Sequence, residues 1–388
     1  MKSKRVLFFS AEVGAGHNRA AFALQQALAR EDSTIQSHVV DSYRVAGSAL
    51  GKVVADGYIQ LVKILPYVYS YMYARGENSF GQAALYKFII KSFSQNVRQY
   101  IREFNPDCVV CTHPFSCAVT SYLKADLRVP LVGVITDFHA HRFWIYRNID
   151  YYLVGGRDIQ SRLIARGIPA SRVIPCGIPV DPHFASPPDQ EEIRRRYGLD
   201  PCLPTVLVMG GGFGLVPVEK IVRSLKKSAH PLQILVVSGN NGRLQKSLSA
   251  YCKRLSRISP ELSRRIRVFG YVDNIWEFMH ASDFLISKPG GLTSAEALAS
   301  CLPMIMVKPL PGQEERNSEY LSRKKLAVPV WDEGKAYRVI DFFLEHPQRL
   351  EKMKQRISEA GRPDSAGDAV ASVLMPLLGM GKPVPLSS

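Results

Sequence analysis

Apolar residues along this chain fall in short unbroken runs rather than in alternation with polar ones. Val6-Leu7-Phe8-Phe9, Cys108-Val109-Val110-Cys111 and Phe284-Leu285-Ile286 are of this kind. A run of this length with no polar partner face suits a strand buried on both sides, as in a parallel sheet covered by helices. Strands are therefore expected over Arg5–Ser10, Asp107–Thr112, Val129–Thr136, Tyr151–Val154 and Val173–Cys176, with an Ala- and Leu-rich helix over Asn18–Arg30. A polar, proline-bearing stretch, Ala185-Ser186-Pro187-Pro188-Asp189, then precedes a helix over Glu191–Tyr197 and reads as a linker. Beyond it the pattern restarts, with strands expected over Thr205–Met209, Gln233–Ser238, Ile266–Phe269, Asp283–Ser287 and Met304–Val307. The alternation predicts an α/β protein of two doubly wound Rossmann-like domains, residues 1–184 and 185–363. A small-residue apolar helix over Asp364–Leu378 is expected to carry the last segment, 364–388, back onto the first domain.

One stretch breaks the rhythm. Between Val45 and Phe93, Tyr58, Tyr67, Tyr69, Tyr71, Tyr73 and Tyr86 are set among Lys52, Lys63, Arg75, Lys87 and Lys91. Ile59–Leu65 and Leu85–Phe93 have the spacing of amphipathic helices with basic edges. Aromatic and basic side chains interleaved in this way suit the headgroup boundary of a membrane, or equally a helical layer covering the sheet.

Composition agrees with a folded, water-exposed protein: 388 residues, 46% hydrophobic and 22% charged. The formal net charge of +16 calls for an anionic partner, with nucleic acid, an acidic membrane surface and a phosphorylated ligand as the candidates. No apolar run is long enough to span a bilayer and the first residues lack a signal-peptide pattern, so a cytoplasmic protein or one peripheral to the inner membrane face is expected. The seven cysteines, odd in number and scattered, read as reduced thiols, and Cys108-x-x-Cys111 as a buried strand rather than a redox or metal pair.

The chemistry collects where strands end. Phe284-Leu285-Ile286 leads into Ser287-Lys288-Pro289-Gly290-Gly291-Leu292-Thr293-Ser294-Ala295-Glu296, a strand, a glycine loop and a helix start. Glycines allow close backbone approach, and the first-turn N–H groups offer a diphosphate the positive end of the helix dipole. Glu296, further along that helix, could accept hydrogen bonds from a ribose. Gly211 and Gly212 form a second loop of this type, and Gln313 and Glu314, on a third strand-end loop, could bond sugar hydroxyls. In the first domain, Gly14-Ala15-Gly16-His17 follows the first strand but lacks the third glycine and the acidic residue of a dinucleotide site. His17 is placed to take the proton of a hydroxyl attacking an anomeric carbon, while the loop at Gly290–Thr293 stabilises a departing diphosphate without a divalent metal. Asp137, His139 and His141 could be read as a metal cluster, though a polar substrate pocket or a hydrogen-bond network fits them as well.

Five motifs in order, Gly14-Ala15-Gly16-His17, Thr136-Asp137-Phe138-x-x-His141-x-x-Trp144, Gly210-Gly211-Gly212-x-Gly214, Lys288-Pro289-Gly290-Gly291-x-Thr293-x-x-Glu296 and Pro311-Gly312-Gln313-Glu314-x-x-Asn317, resemble those of the diacylglycerol glycosyltransferases. These are the monogalactosyldiacylglycerol synthases and the processive diacylglycerol glucosyltransferases. The resemblance implies a GT-B fold of two Rossmann-like domains facing across a cleft, and inverting transfer of a hexose from a UDP-sugar to diacylglycerol by an enzyme peripheral to the membrane. It maps the base to His17, the ribose-binding acid to Glu296, and donor-sugar contacts to Gln313 and Glu314, with Asn317 closing that motif. It maps the diphosphate and donor loops to Gly211, Gly212, Phe213, Gly290, Gly291 and Thr293, and the nucleobase to Tyr271 and Val272. Gly16, His113, Asp137, His141 and Trp144 are the acceptor-side candidates. Ala15 stands where the family commonly has glycine. The implied partners are the UDP-sugar as co-substrate, diacylglycerol and an anionic lipid surface, with no metal or further cofactor. Glucose and galactose remain equal candidates for the hexose, with another lipid-linked acceptor as the runner-up reading and a non-catalytic nucleotide-sugar or lipid binder as an alternative of a different class. Nucleic acid is set aside because no nucleic-acid-binding module accompanies the charge.

Overall fold

The computed structural model describes residues 3–12, 15–46, 80–211 and 216–380, without the side chains of Ala15, Ala46 and residues 80–89. Most of the aromatic and basic stretch between Val45 and Phe93, and both Gly212 and Phe213, therefore lie outside the described residues. The chain divides into two units: Met1–Pro182 with Pro311–Gln313 and Asp364–Ser388, and His183–Leu310 with Glu314–Pro363.

The first unit is built on a six-stranded parallel sheet: β1 (Arg5–Ser10), β2 (Gln36–Asp41), β3 (Cys108–Cys111), β4 (Leu131–Val134), β5 (Tyr151–Leu153) and β6 (Val173–Ile174), in the order β2-β1-β3-β4-β5-β6. Val6 to Phe9 and Cys108 to Cys111 are completely or almost completely buried, as their unbroken apolar runs require. Its helices include α1 (Ala15–Glu31), α2 (Ser42–Ala46), α3 (Phe80–Phe104), α4 (Pro114–Tyr122) and α5 (Arg157–Ala165). The C-terminal segment belongs to this core: Ala366, Ala369, Val370, Val373, Leu374 and Leu378 pack with Ala21, Leu24, Ala27 and Leu28 of α1. At its start, buried Ser365 accepts from Val180 N (3.1 Å) and donates to Ile178 O (2.9 Å), tying the returning chain to the segment after β6.

The second unit repeats the plan with α6 (Gln190–Arg196), β7 (Thr205–Met209), α7 (Val218–Leu225), β8 (Gln233–Val237), α8 (Gly242–Ile258), α9 (Pro260–Arg264), β9 (Ile266–Phe269), α10 (Ile275–His280), β10 (Phe284–Ser287), α11 (Gly291–Ala299), β11 (Met304–Val307), α12 (Gln313–Arg323), β12 (Ala327–Val330), α13 (Ala336–Glu345) and α14 (Pro347–Ala360). Its strands are again all parallel, in the order β12-β11-β10-β7-β8-β9. The proline-bearing stretch before α6 ends in a cap, Asp189 accepting from the N–H groups of Glu191 and Glu192, which fixes where that helix begins.

Both strand orders contain one reversal. In the first sheet the chain steps from β1 outward to β2 and then returns to β3 on the other side of β1. In the second it runs outward from β7 through β9 and returns to β10 on the other side of β7. The loops after the two strands flanking such a reversal diverge to opposite faces and leave a crevice, where open α/β sheets bind their ligands. Those loops are the ones after β1 and β3, and after β7 and β10. Among the described residues no helix is long and apolar enough to cross a membrane.

Candidate active site

In the first unit the parallel register sets Phe9 opposite Cys111, so the chain leaves β1 and β3 side by side. His17, in the first turn of α1, comes off the first of these ends and Thr112-His113 off the second. His17 Nδ1 lies 2.7 Å from Thr112 O and 3.0 Å from Thr136 Oγ1. A carbonyl oxygen can only accept, so the ring proton is on Nδ1 and the lone pair is on Nε2. Burial favours the neutral ring and lowers its pKa from 6.5 to about 4, an effect that the bond to Thr112 O partly opposes. His113 packs edge-on against His17, with ring centroids 4.7 Å apart. It caps α4, its Nδ1 accepting from Phe115 N (3.2 Å), and burial, then the adjacent His17, hold its pKa well below the ordinary value. Two imidazoles so close are kept neutral together, since charging either one disfavours charging the other.

Trp144 closes this side of His17, with ring centroids 6.3 Å apart. His141 starts the short helical turn that carries Trp144, its Nδ1 accepting from Phe143 N (3.3 Å). Trp144 Nε1, Thr112 Oγ1 and Ser10 Oγ are buried and have no hydrogen-bond partner among the described residues. Asp137, just beyond Thr136, is buried and accepts from Gln313 Nε2 (2.9 Å), residues Pro311–Gln313 packing with this unit. The expected His139-x-His141 pair is split in role: His139 Nδ1 accepts from Arg162 (2.8 Å), while His141 is the cap just described. Gly16 lies in the first turn of α1 beside His17.

In the second unit β10 lies between β7 and β11, with Ile286 opposite both Val208 and Ile305, which brings three strand-end loops together. Gly211, after β7, has φ +69°, and a Cβ there would come within 2.7 Å of Lys288 Cε. Glycine is therefore demanded twice, by conformation and by the lysine packed against it. Gly290 is different: its φ is −66° and a Cβ would meet nothing within 4 Å, so nothing in the chain's own packing requires glycine there. As the residue before α11 it offers no side chain to cap the first turn, leaving the N–H groups around Gly291 and Thr293 at the positive end of the dipole. Glu296, one turn further, is 1% exposed.

Two side chains of α12 hold this loop. Lys288 Nζ is ion-paired with Glu314, whose other oxygen accepts from Leu310 N (2.9 Å), and buried Asn317 donates to Pro289 O (3.1 Å). Glu314 and Asn317 thus shape the loop between β10 and α11. Tyr271 and Val272 follow β9 on the other side of β8, and the Tyr271 ring is 67% exposed. A separate cavity of roughly 430 Å³, lined by Asp189, His280, Asp283, Cys301 and Lys354, opens at the strand starts of this sheet and has none of these loops in its wall. Among the described residues no three His, Cys, Asp or Glu side chains are grouped as metal ligands would be. What sequence spacing alone had not indicated is the holder of the His17 proton, Thr112 O, and the coupling of Lys288 to Glu314; both follow from strand order.

Residues 17–180 match the family model for monogalactosyldiacylglycerol (MGDG) synthase, and residues 205–364 match that for the glycosyltransferase family 28 C-terminal domain. A processive diacylglycerol beta-glucosyltransferase of Bacillus cereus is 28% identical over 379 residues, covering 96% of this chain and 94% of the relative. Among solved structures, a UDP co-structure of MnaA from S. aureus superposes with a TM-score of 0.64 at 14% identity over 99% of this chain and 100% of the other. MurG of Acinetobacter baumannii gives 0.60 at 15% identity over 95% and 98%. At such identities the superpositions speak for the fold alone, which is GT-B.

Proposed function

We propose that this chain, which resembles the diacylglycerol glycosyltransferases along nearly its whole length, transfers a hexose from a UDP-sugar to diacylglycerol at a membrane surface, with inversion at the anomeric carbon. The observation that carries the reading is the state of His17: a neutral imidazole whose Nδ1 proton is held by Thr112 O, leaving Nε2 as a base at a sheet's reversal point. The acceptor hydroxyl oxygen attacks C1 of the sugar and its proton passes to Nε2. The bond from C1 to the diphosphate oxygen breaks on the opposite side, and UDP leaves with the electron pair.

In this reading the N–H groups at Gly290, Gly291 and Thr293, with Gly211, Gly212 and Phe213, take the diphosphate, and Glu296 takes the ribose. The exposed Tyr271 ring, with Val272, takes the uracil face. Gln313 and Glu314 face the donor sugar, Asn317 keeps the Pro289 turn in place, and Gly16, His113, Asp137, His141 and Trp144 line the acceptor side. No metal is assigned a role, because the dipole and N–H groups answer the charge of the leaving diphosphate.

The test is mass spectrometry of lipids formed from diacylglycerol with UDP-glucose and UDP-galactose offered separately. A hexosyl-diacylglycerol from one donor, lost in His17→Ala by about 10²–10⁴-fold in rate, is expected. Absence of glycolipid with either donor, or full rate in the variant, overturns the assignment. A product formed only on a polyprenyl diphosphate carrier would move the acceptor, and UDP binding without any product would make the chain a nucleotide-sugar sensor.

A further inference from the structure

The net charge of +16 is concentrated in one part of the chain. From Lys220 to Arg267 there are twelve Lys and Arg against one acid, Glu261, so this stretch accounts for +11 of the total. Most of it lies on α8 and its neighbours in the second unit. Along α8, Leu244, Leu248, Tyr251 and Leu255 recur at helical spacing on the side that holds the buried Leu248 and Leu255. Arg243, Lys246, Lys253, Arg254 and Arg257 fall together on the far side, within an arc of about 100°. All five are exposed, and none is engaged by a carboxylate among the described residues.

Arg223 of α7 and Lys226 just past its end lie over the Tyr251 ring at 5.0 and 5.7 Å, on the other side of α8 from the stripe. At the last residue of α8, Ile258 is 83% exposed beside Arg257. Such a helix is costly by itself. Lys253 and Arg257 repel at i, i+4, Arg254 and Arg257 at i, i+3, and Arg243 stands at the positive end of the dipole. No acid on α8 offsets this, and nothing in the packing requires it.

We propose that the basic face of α8 is a docking surface for an anionic lipid bilayer, its cations among the headgroups and Ile258 at their apolar boundary. This rests on the diacylglycerol reading for the choice of lipid over other polyanions, and adds to it a contact on the second unit, apart from the stretch between Val45 and Phe93. The surface is additive and salt-sensitive: each cation contributes separately, and ionic strength weakens them all.

The test is co-sedimentation of the full chain with vesicles of phosphatidylcholine, with and without phosphatidylglycerol. The stripe variant carries Lys246→Gln, Lys253→Gln, Arg254→Gln and Arg257→Gln. A control of equal charge loss on the same unit carries Arg323→Gln, Arg349→Gln, Lys352→Gln and Arg356→Gln. Binding to the anionic vesicles is expected to fall about 100-fold or more in the stripe variant and only a few-fold in the control. An exchange variant, Lys246→Arg, Lys253→Arg, Arg254→Lys and Arg257→Lys, keeps wild-type binding if charge is what acts. Equal losses in stripe variant and control, no loss in the stripe variant, or loss in the exchange variant overturn the proposal, as does stripe-dependent binding to duplex DNA tighter than to vesicles. Turnover of diacylglycerol dispersed in detergent should be unchanged in the stripe variant. If wild type makes no glycolipid in detergent, the functional reading fails while the vesicle measurement still decides the surface.

Discussion

The state of His17 makes a prediction about pH with its sign fixed. A free imidazole is half protonated at pH 6.5, whereas burial brings that point to about 4 for His17. At 1.36 kcal/mol per pH unit, that gap amounts to about 3 kcal/mol in favour of the neutral ring. As the proposed base, His17 therefore stays competent well into the acid range, and the acid limb of kcat/KM should lie near pH 4 to 5 rather than 6.5. The assay is the initial rate of glycolipid formation from diacylglycerol in detergent micelles, with buffers of constant ionic strength. Stability should move with it. Because the unfolded chain binds this proton more tightly than the folded one, the folded state keeps its full stability above pH 6.5 and loses it as the pH falls from 6.5 towards 4. His17→Gln removes that dependence, so after subtraction of their offset at pH 7 the urea midpoints of wild type and variant should diverge at low pH, with wild type falling further. His113, held neutral first by burial and then by the adjacent His17, remains in both proteins, so the part of its pH dependence that burial sets cancels in the comparison. An acid limb at pH 6.5 or above would refute the reasoning: either the ring is hydrated or another group takes the proton.

Three further outcomes follow from contacts in the fold. Gly211→Ala must adopt φ +69° with a Cβ pressed against Lys288; it should cost ~1–2 kcal/mol for the conformation and raise KM for the donor, read from thermal melts and initial rates. Lys288→Met leaves Glu314 enclosed without its cation, at a cost of about 3 kcal/mol in chemical denaturation, and Lys288→Met/Glu314→Leu should recover much of it. Ser365→Ala leaves the Val180 N–H and Ile178 C=O without their shared hydroxyl, and should lower stability by ~1–3 kcal/mol with kcat unchanged.

Ten of the parallel strands were legible because burial on both faces writes itself as unbroken apolar runs, whereas β2 and β12, only partly buried at the edges of their sheets, carry no such run and were missed. Cys108–Cys111 is read as a buried strand from its neighbours alone and is one. The glycine motifs were legible as loops for a similar reason, since few other residues tolerate φ +69° at Gly211. What could not be read is anything that depends on strand order. Spacing places Thr112 ninety-five positions from His17, yet the crossing from β2 back to β3 puts its carbonyl 2.7 Å from the ring. The same holds for the basic stripe: its composition was visible, but only the helix periodicity and the buried Leu248 and Leu255 show that the cations share a face.

The donor half shows how far such motifs are separate parts. Lys288-Pro289-Gly290-Gly291 and Gly312-Gln313-Glu314 look like two loops with two tasks, phosphate and sugar. Their strands are adjacent and parallel, with Ser287 opposite Met306, so the loops leave the sheet together. Glu314 is engaged by Lys288 and by Leu310 N, and Asn317 by Pro289 O, so α12 holds the turn that starts α11. A carboxylate bound in this way has little freedom to select a hydroxyl by moving, and any sugar it contacts meets a fixed acceptor. In the proposed reading a change at Lys288 reaches both diphosphate and sugar, donor preference is a property of how the Lys288–Glu314 pair is set, and exchanging Glu314 alone should disturb affinity for UDP as well as the choice of hexose.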